Sequence, residues 1–162
     1  MSMINKQTAE NTKPKVLIII NNEFILKMYQ IKLEKRGVSV ETFFDAEGDI
    51  VQRIADAKPN LLVLDIVIHD KSGLEIVRQL KEDERTKDIP FLFATCDGQP
   101  KDVEEAKELG AVGFITRGVN KPKEVVNYIL AFLKPSVVTR YIKIIAVLIV
   151  ILVVIGVLVV IK

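Results

Sequence analysis

Three short stretches of this chain are apolar at every position: Val16–Ile20, Leu61–Leu64 and Phe91–Ala94. Each is too short for a helix, and none alternates with polar residues as a strand with one wet face would. Such runs belong to strands covered on both faces, which requires a sheet with helices above and below it. The intervening segments supply those helices. Glu23 to Arg36 places Phe24, Ile25, Met28, Ile31 and Leu33 at near-helical spacing and ends at Gly37. Val38 to Phe44 reads as a second strand, and Ala46 to Lys58 as a helix around Ile50, Val51 and Ile54, stopped before Pro59. The next helix opens on Ser72-Gly-Leu-Glu75, where serine and glutamate can satisfy each other's free backbone donors, and continues through Ile76, Val77 and Leu80.

Further along, Lys101 to Leu109 predicts a fourth helix and Gly113 to Thr116 a short fifth strand. The last helix takes Asn120 as its cap and Pro122 in its first turn. Val125, Val126, Ile129, Leu130 and Leu133 form its apolar side. Strands alternating with helices imply right-handed crossovers, hence an α/β, doubly wound sheet of five parallel strands covered on both faces. A ligand site in such a sheet lies at the carboxyl ends of the strands. Those ends are Asn21 and Asn22, Asp65, Thr95 and Arg117.

The tail obeys a different rule. Ile144 to Ile161 contains only Ile, Val and Leu with Ala146 and Gly156, between Lys143 and Lys162. At 1.5 Å per residue this run reaches about 27 Å, near the thickness of a bilayer's hydrocarbon core. The other reading, a buried helix or two core strands, meets the objection that only Gly156 interrupts the run. The expected organisation is a disordered lead-in over 1–14, a globular head over 15–134, a linker over 135–141 and a transmembrane helix over 142–161. Lys134, Arg140 and Lys143 precede the run and Lys162 alone follows it, so the positive-inside bias puts the head in the cytoplasm. The localisation expected is a single-pass membrane protein anchored by its C-terminus.

Composition excludes more than it assigns. A formal charge of +2 with no basic stripe argues against a nucleic-acid partner. The single cysteine, Cys96, cannot form an internal disulfide, and the polar N-terminus lacks the apolar core of a secretory signal. No glycine-rich phosphate loop, serine–histidine pair or zinc spacing points to an enzyme.

The head resembles the receiver domain of two-component response regulators, the CheY-like family. The resemblance rests on Leu61-Leu-Val-Leu-Asp65 followed by Lys71-Ser-Gly-Leu-Glu75, on Phe91-Leu-Phe-Ala-Thr95, and on Leu109-Gly-Ala-Val-Gly-Phe114. It implies a flavodoxin-like α/β fold, Asp65 as phosphoacceptor, Thr95 as the residue that bonds the phosphoryl group, Arg117 as the cation beside it, and Thr95 with Phe114 as the switch pair. It also implies a Mg2+ ion, for which the matching positions are Asp65, Asn22, Asn21 and the backbone carbonyl of Val67. The chain departs from the family's pattern at three places. Asn21 and Asn22 stand where the family has acidic residues, Arg117-Gly118 where it has lysine and proline, and His69 where a proline is usual. A site with three carboxylates carries about −3 and one with Asp65 alone about −1, so magnesium binding is expected to be weak or absent.

Two functions follow from the resemblance. One is a membrane-anchored receiver in phosphorelay signalling, with weakened magnesium-dependent phosphorylation of Asp65 by a histidine kinase or small phosphodonor. The other is a pseudo-receiver that docks proteins at the membrane without phosphorylation, through its fourth helix, fifth strand and fifth helix. No activity beyond self-phosphorylation and dephosphorylation is expected. The partners implied are a histidine kinase or other signalling protein, the membrane, and a second copy in a homodimer. Transcriptional output would then need a separate protein.

Overall fold

The computed structural model describes residues 13–96 and 98–134. The chain divides into two compact units, Met1–Ile129 and Leu130–Lys162. The second contributes only residues 130–134 to what is described, of which 130–133 end the last helix. The expected transmembrane run lies outside the described residues. Among the described residues no helix is long and apolar enough to cross a membrane.

The order of elements is β1 (Lys15–Ile19), α1 (Glu23–Glu34), β2 (Ser39–Phe43), α2 (Ile50–Ala57), β3 (Leu61–Leu64), β4 (Val67–Ile68), β5 (Lys71–Ser72), α3 (Gly73–Glu82), β6 (Phe91–Thr95), α4 (Pro100–Glu108), β7 (Gly113–Thr116) and α5 (Pro122–Leu133). Five strands form one parallel sheet in the order β2-β1-β3-β6-β7. Strand β1, apolar from Val16 on, and β3, apolar throughout, lie in the interior of the sheet with both their faces covered. Leu17, Ile19, Leu62, Leu64, Phe91 and Phe93 pack into one core with Ile50 and Ile54 of α2 and Ile76, Val77 and Leu80 of α3. Alternate residues such as Ile18 and Val63 face the other side of the sheet and are equally buried.

Helix starts are set by side chains that take up free backbone donors. Asp49 caps α2 by accepting from Gln52 N at 2.9 Å, and Gly48 turns the chain before it at φ 63°. That helix therefore begins at Ile50, not Ala46. Ser72 caps α3, with Oγ accepting from Glu75 N at 3.4 Å, but the Glu75 carboxylate turns to Arg78 at 2.7 Å. Asn120 does not cap α5. Its own N–H donates to Thr116 O, while Lys121 O closes the first turn and Lys121 N is held by Glu124 Oε2 at 3.0 Å.

The largest correction concerns α1. Its buried residues are Leu26, Tyr29 and Leu33. The stripe Phe24, Met28 and Ile31 faces outward, with Phe24 78% exposed. Both sets recur at helical spacing, so periodicity alone cannot choose between them. The hairpin β4–β5 was also not foreshadowed. Val67 pairs with Ser72 and Ile68 with Lys71 around the turn at His69-Asp70. His69 adopts φ 54° there, its Nε2 donates to Phe44 O at 3.1 Å, and Lys71 Nζ donates to Ala46 O at 2.6 Å. These bonds fasten the hairpin to the loop after β2.

Candidate functional site

Parallel register carries the strand ends to one edge of the sheet. Ile19 is level with Leu64, Leu64 with Phe93, and Phe93 with Phe114. Asn21, Asp65, Thr95 and Arg117 follow within two residues, or three for Arg117, as each chain leaves the sheet. Asp65 and Thr95 are buried, at 4% and 1% exposure. Asn21 and Asn22 are exposed.

The guanidinium of Arg117 reaches past β6, the strand between them, and its Nη2 donates to Asp65 Oδ2. Both side chains are almost wholly shielded from water, 8% and 6% exposed. Asp65 Oδ1 meanwhile accepts from Ile66 N at 2.8 Å, so each carboxylate oxygen has a protein partner. Arg117 is itself fixed by its backbone, whose N–H donates to Thr95 O at 2.7 Å. Its Nε is buried and has no hydrogen-bond partner among the described residues. A single-donor contact of this kind attracts strongly in a low-dielectric setting, yet leaves part of the fork unsatisfied.

Phe114 is half-buried. Its ring lies 6.2 Å from that of Phe93, and it closes on the loop after β6, where a Cβ placed on Gly98 would stand 2.6 Å from Phe114 Cζ. The expected switch residues Thr95 and Phe114 thus flank one loop. Two further participants escaped the sequence reading. Gly73 lies against the Asp65 backbone. Tyr29 is buried, and burial pushes its phenol above the ordinary range against the opposing pull of the Arg117 charge. The small residue eight positions past Asp65 and the lone polar-tipped aromatic on the buried face of α1 were the available signals.

Magnesium needs hard oxygen ligands free to coordinate it. Asn22 Oδ1 is committed to the α1 cap, accepting from Ile25 N at 3.0 Å. Both oxygens of Asp65 are engaged as described. Among the described residues no cluster of three or more Asp, Glu, His or Cys side chains is placed to hold a metal ion. As arranged, the set Asp65, Asn22, Asn21 and Val67 does not fit the ion. Cys96 is exposed and so is not part of the core, and His69 is exposed with its Nε2 donating to Phe44 O.

The family described as response regulator receiver domain matches residues 16–129. This chain belongs to that family. The receiver is 34% identical over 124 residues to the phosphate regulon transcriptional regulatory protein PhoB of Pseudomonas aeruginosa, covering 74% of this chain and 52% of PhoB. It is 28% identical over 109 residues to the polar-differentiation response regulator DivK of Brucella ovis, covering 67% of this chain and 87% of DivK. The chain thus spans about half the length of PhoB. The chemotaxis protein CheY4 of Vibrio cholerae shares the receiver's fold, with a TM-score of 0.66 at 24% identity over 75% of this chain and 100% of CheY4.

Proposed function

We propose that this chain is a membrane-anchored receiver of two-component signalling whose phosphoacceptor, Asp65, is held back by Arg117. The ion pair carries the reading. For Asp65 to attack a phosphoryl group, an oxygen must be released, and the guanidinium must move off Oδ2 or turn its free Nε–H toward the incoming anion. Either movement opens a buried pair, and opening such a pair by removing a partner typically costs about 3–5 kcal/mol. A lysine in the same place could retreat as a flexible point charge; arginine's planar fork keeps its bond. Two asparagines in place of carboxylates leave little to attract a divalent cation. Phosphorylation is therefore slow and weakly metal-dependent.

The membrane part of this reading rests on the apolar run from Ile144 to Ile161 and on Lys134, Arg140 and Lys143 before it. These support a single pass with the head in the cytoplasm. Tethering confines receiver and kinase to one surface, where effective concentration offsets a slow intrinsic step.

One observation favours a second reading. Because Arg117 already supplies a cation to Asp65, the pair can stand in for a fixed switch state, and the module would then dock partners by contact alone. Incubation of the chain with acetyl phosphate, followed by intact mass, separates the two. The first reading expects slow labelling that D65N abolishes and R117K accelerates. No labelling of either the natural chain or R117K supports the contact-only module.

A further inference from the structure

Helix α1 carries two apolar stripes, and the sheet uses one. The other, Phe24, Met28 and Ile31, forms with Val126 of α5 the floor of an open groove of about 560 Å³. Five cations make its rim: Lys27, Lys32, Lys35, Arg36 and Lys123. All five are exposed, and no acidic side chain lines the groove. Among the described residues none of the five enters an ion pair. Of the acids on these helices, Glu34 accepts from Gln30 Nε2 and Glu124 from Lys121 N, while Glu23 is exposed and does not line the groove.

An unshielded cationic rim over an apolar floor matches an anionic amphiphile. We infer that this α1–α5 groove docks on the anionic phospholipid surface of the bilayer, with phosphate headgroups on the lysines and Phe24 entering the acyl boundary. The choice of a lipid surface rests on the membrane-anchoring reading above. The ten residues between Leu133 and Ile144 reach at most about 36 Å when fully extended, so an anchored head stays beside the bilayer whatever path they take. Basic clusters near an anionic leaflet gain about fivefold in docking per Lys or Arg. The groove thus holds the head down on the membrane by its α1 side.

The chain contains no tryptophan, so F24W places a single fluorophore in the groove at an exposed position. The full chain is reconstituted in vesicles of zwitterionic lipid alone, or with an added anionic lipid, each with brominated acyl chains as quencher. Blue-shifted, quenched emission from F24W is expected on the anionic vesicles only. Adding K32E, K35E and R36E, all at exposed positions, should weaken that quenching at least tenfold, as should high salt. A tryptophan at Gln79 on the exposed side of α3 (Q79W) should report no quenching.

Quenching that is equal on both lipids, or unchanged by the charge reversals, overturns the proposal. So does a groove that stays solvated and unquenched on both vesicles, or one whose emission shifts only on adding an acidic amphipathic peptide, which would make its partner a protein. Carbonate extraction of the same vesicles tests the anchor separately. Loss of the chain in carbonate, with anionic-lipid quenching retained beforehand, removes the anchor and keeps the groove.

Discussion

Gly73 stands directly against the backbone of Asp65: a Cβ built at Gly73 would lie 2.0 Å from the Asp65 carbonyl oxygen and 3.1 Å from its carbon. The third near neighbour is the buried ring of Phe93, at 3.2 Å. Gly73 N also donates to Ile66 O at 2.7 Å, so α3 begins pressed onto the turn that carries Asp65. Neither backbone nor a ring at zero exposure can yield cheaply. G73A is expected to cost about 2–3 kcal/mol, as overpacking typically does. Urea denaturation checks the loss, and amide shifts at Asp65 and Ile66 should accompany it.

Removing one member of the Arg117–Asp65 pair strands the other in a buried place. R117A should therefore destabilise the receiver by about 3–5 kcal/mol, whereas D65N with R117M should recover most of that loss. Equal destabilisation by the single and double changes would mean that packing, not charge, holds the site.

High pH tests Tyr29. Burial favours its neutral phenol, so its folded-state pKa lies above the ordinary 10.0. The unfolded chain releases that proton first, and the contribution to stability is present below about pH 10 and lost as pH rises through the folded value. Absorbance titration should show one tyrosine ionising later than the others, together with unfolding, and Y29F should remove that late step.

Low pH tests Asp83. Its carboxylate accepts from the Arg85 side chain at 3.0 and 2.6 Å and from Arg85 N at 2.8 Å, which holds its pKa down at about 2. Its contribution to stability is complete above the ordinary carboxylate value of 3.8 and lost as pH falls toward 2. D83N should flatten that part of the acid-stability curve. Because the group lies at the surface, where solvent screens it, the effect is small.

Much of this was legible in the residues. Continuous apolar runs at Val16, Leu61 and Phe91 could only be central strands, and strand order then placed Asp65, Thr95 and Arg117 at one edge. What was illegible had two causes. Where a segment offers two competing local solutions, tertiary packing decides, as with the two stripes of α1 or Asn120 against Lys121 at the start of α5. Contacts between segments distant in sequence leave no local trace; the hairpin's bonds to Phe44 and Ala46 are of this kind. The choice of Arg117 as a direct partner of Asp65 was suggested by charge, but its burial came from the fold.

On the proposed function, Arg117 and the asparagine pair together restrain Asp65. The most direct test titrates magnesium with beryllofluoride, a stand-in for an aspartyl-phosphate, and follows amide shifts of Ile66, Thr95 and Phe114. The natural chain is compared with N21D/N22D/R117K. Little response from the natural chain at millimolar magnesium, and saturable shifts reaching Phe114 in the triple variant, is the predicted result. Saturation of the natural chain at the same magnesium concentration as the variant would contradict it.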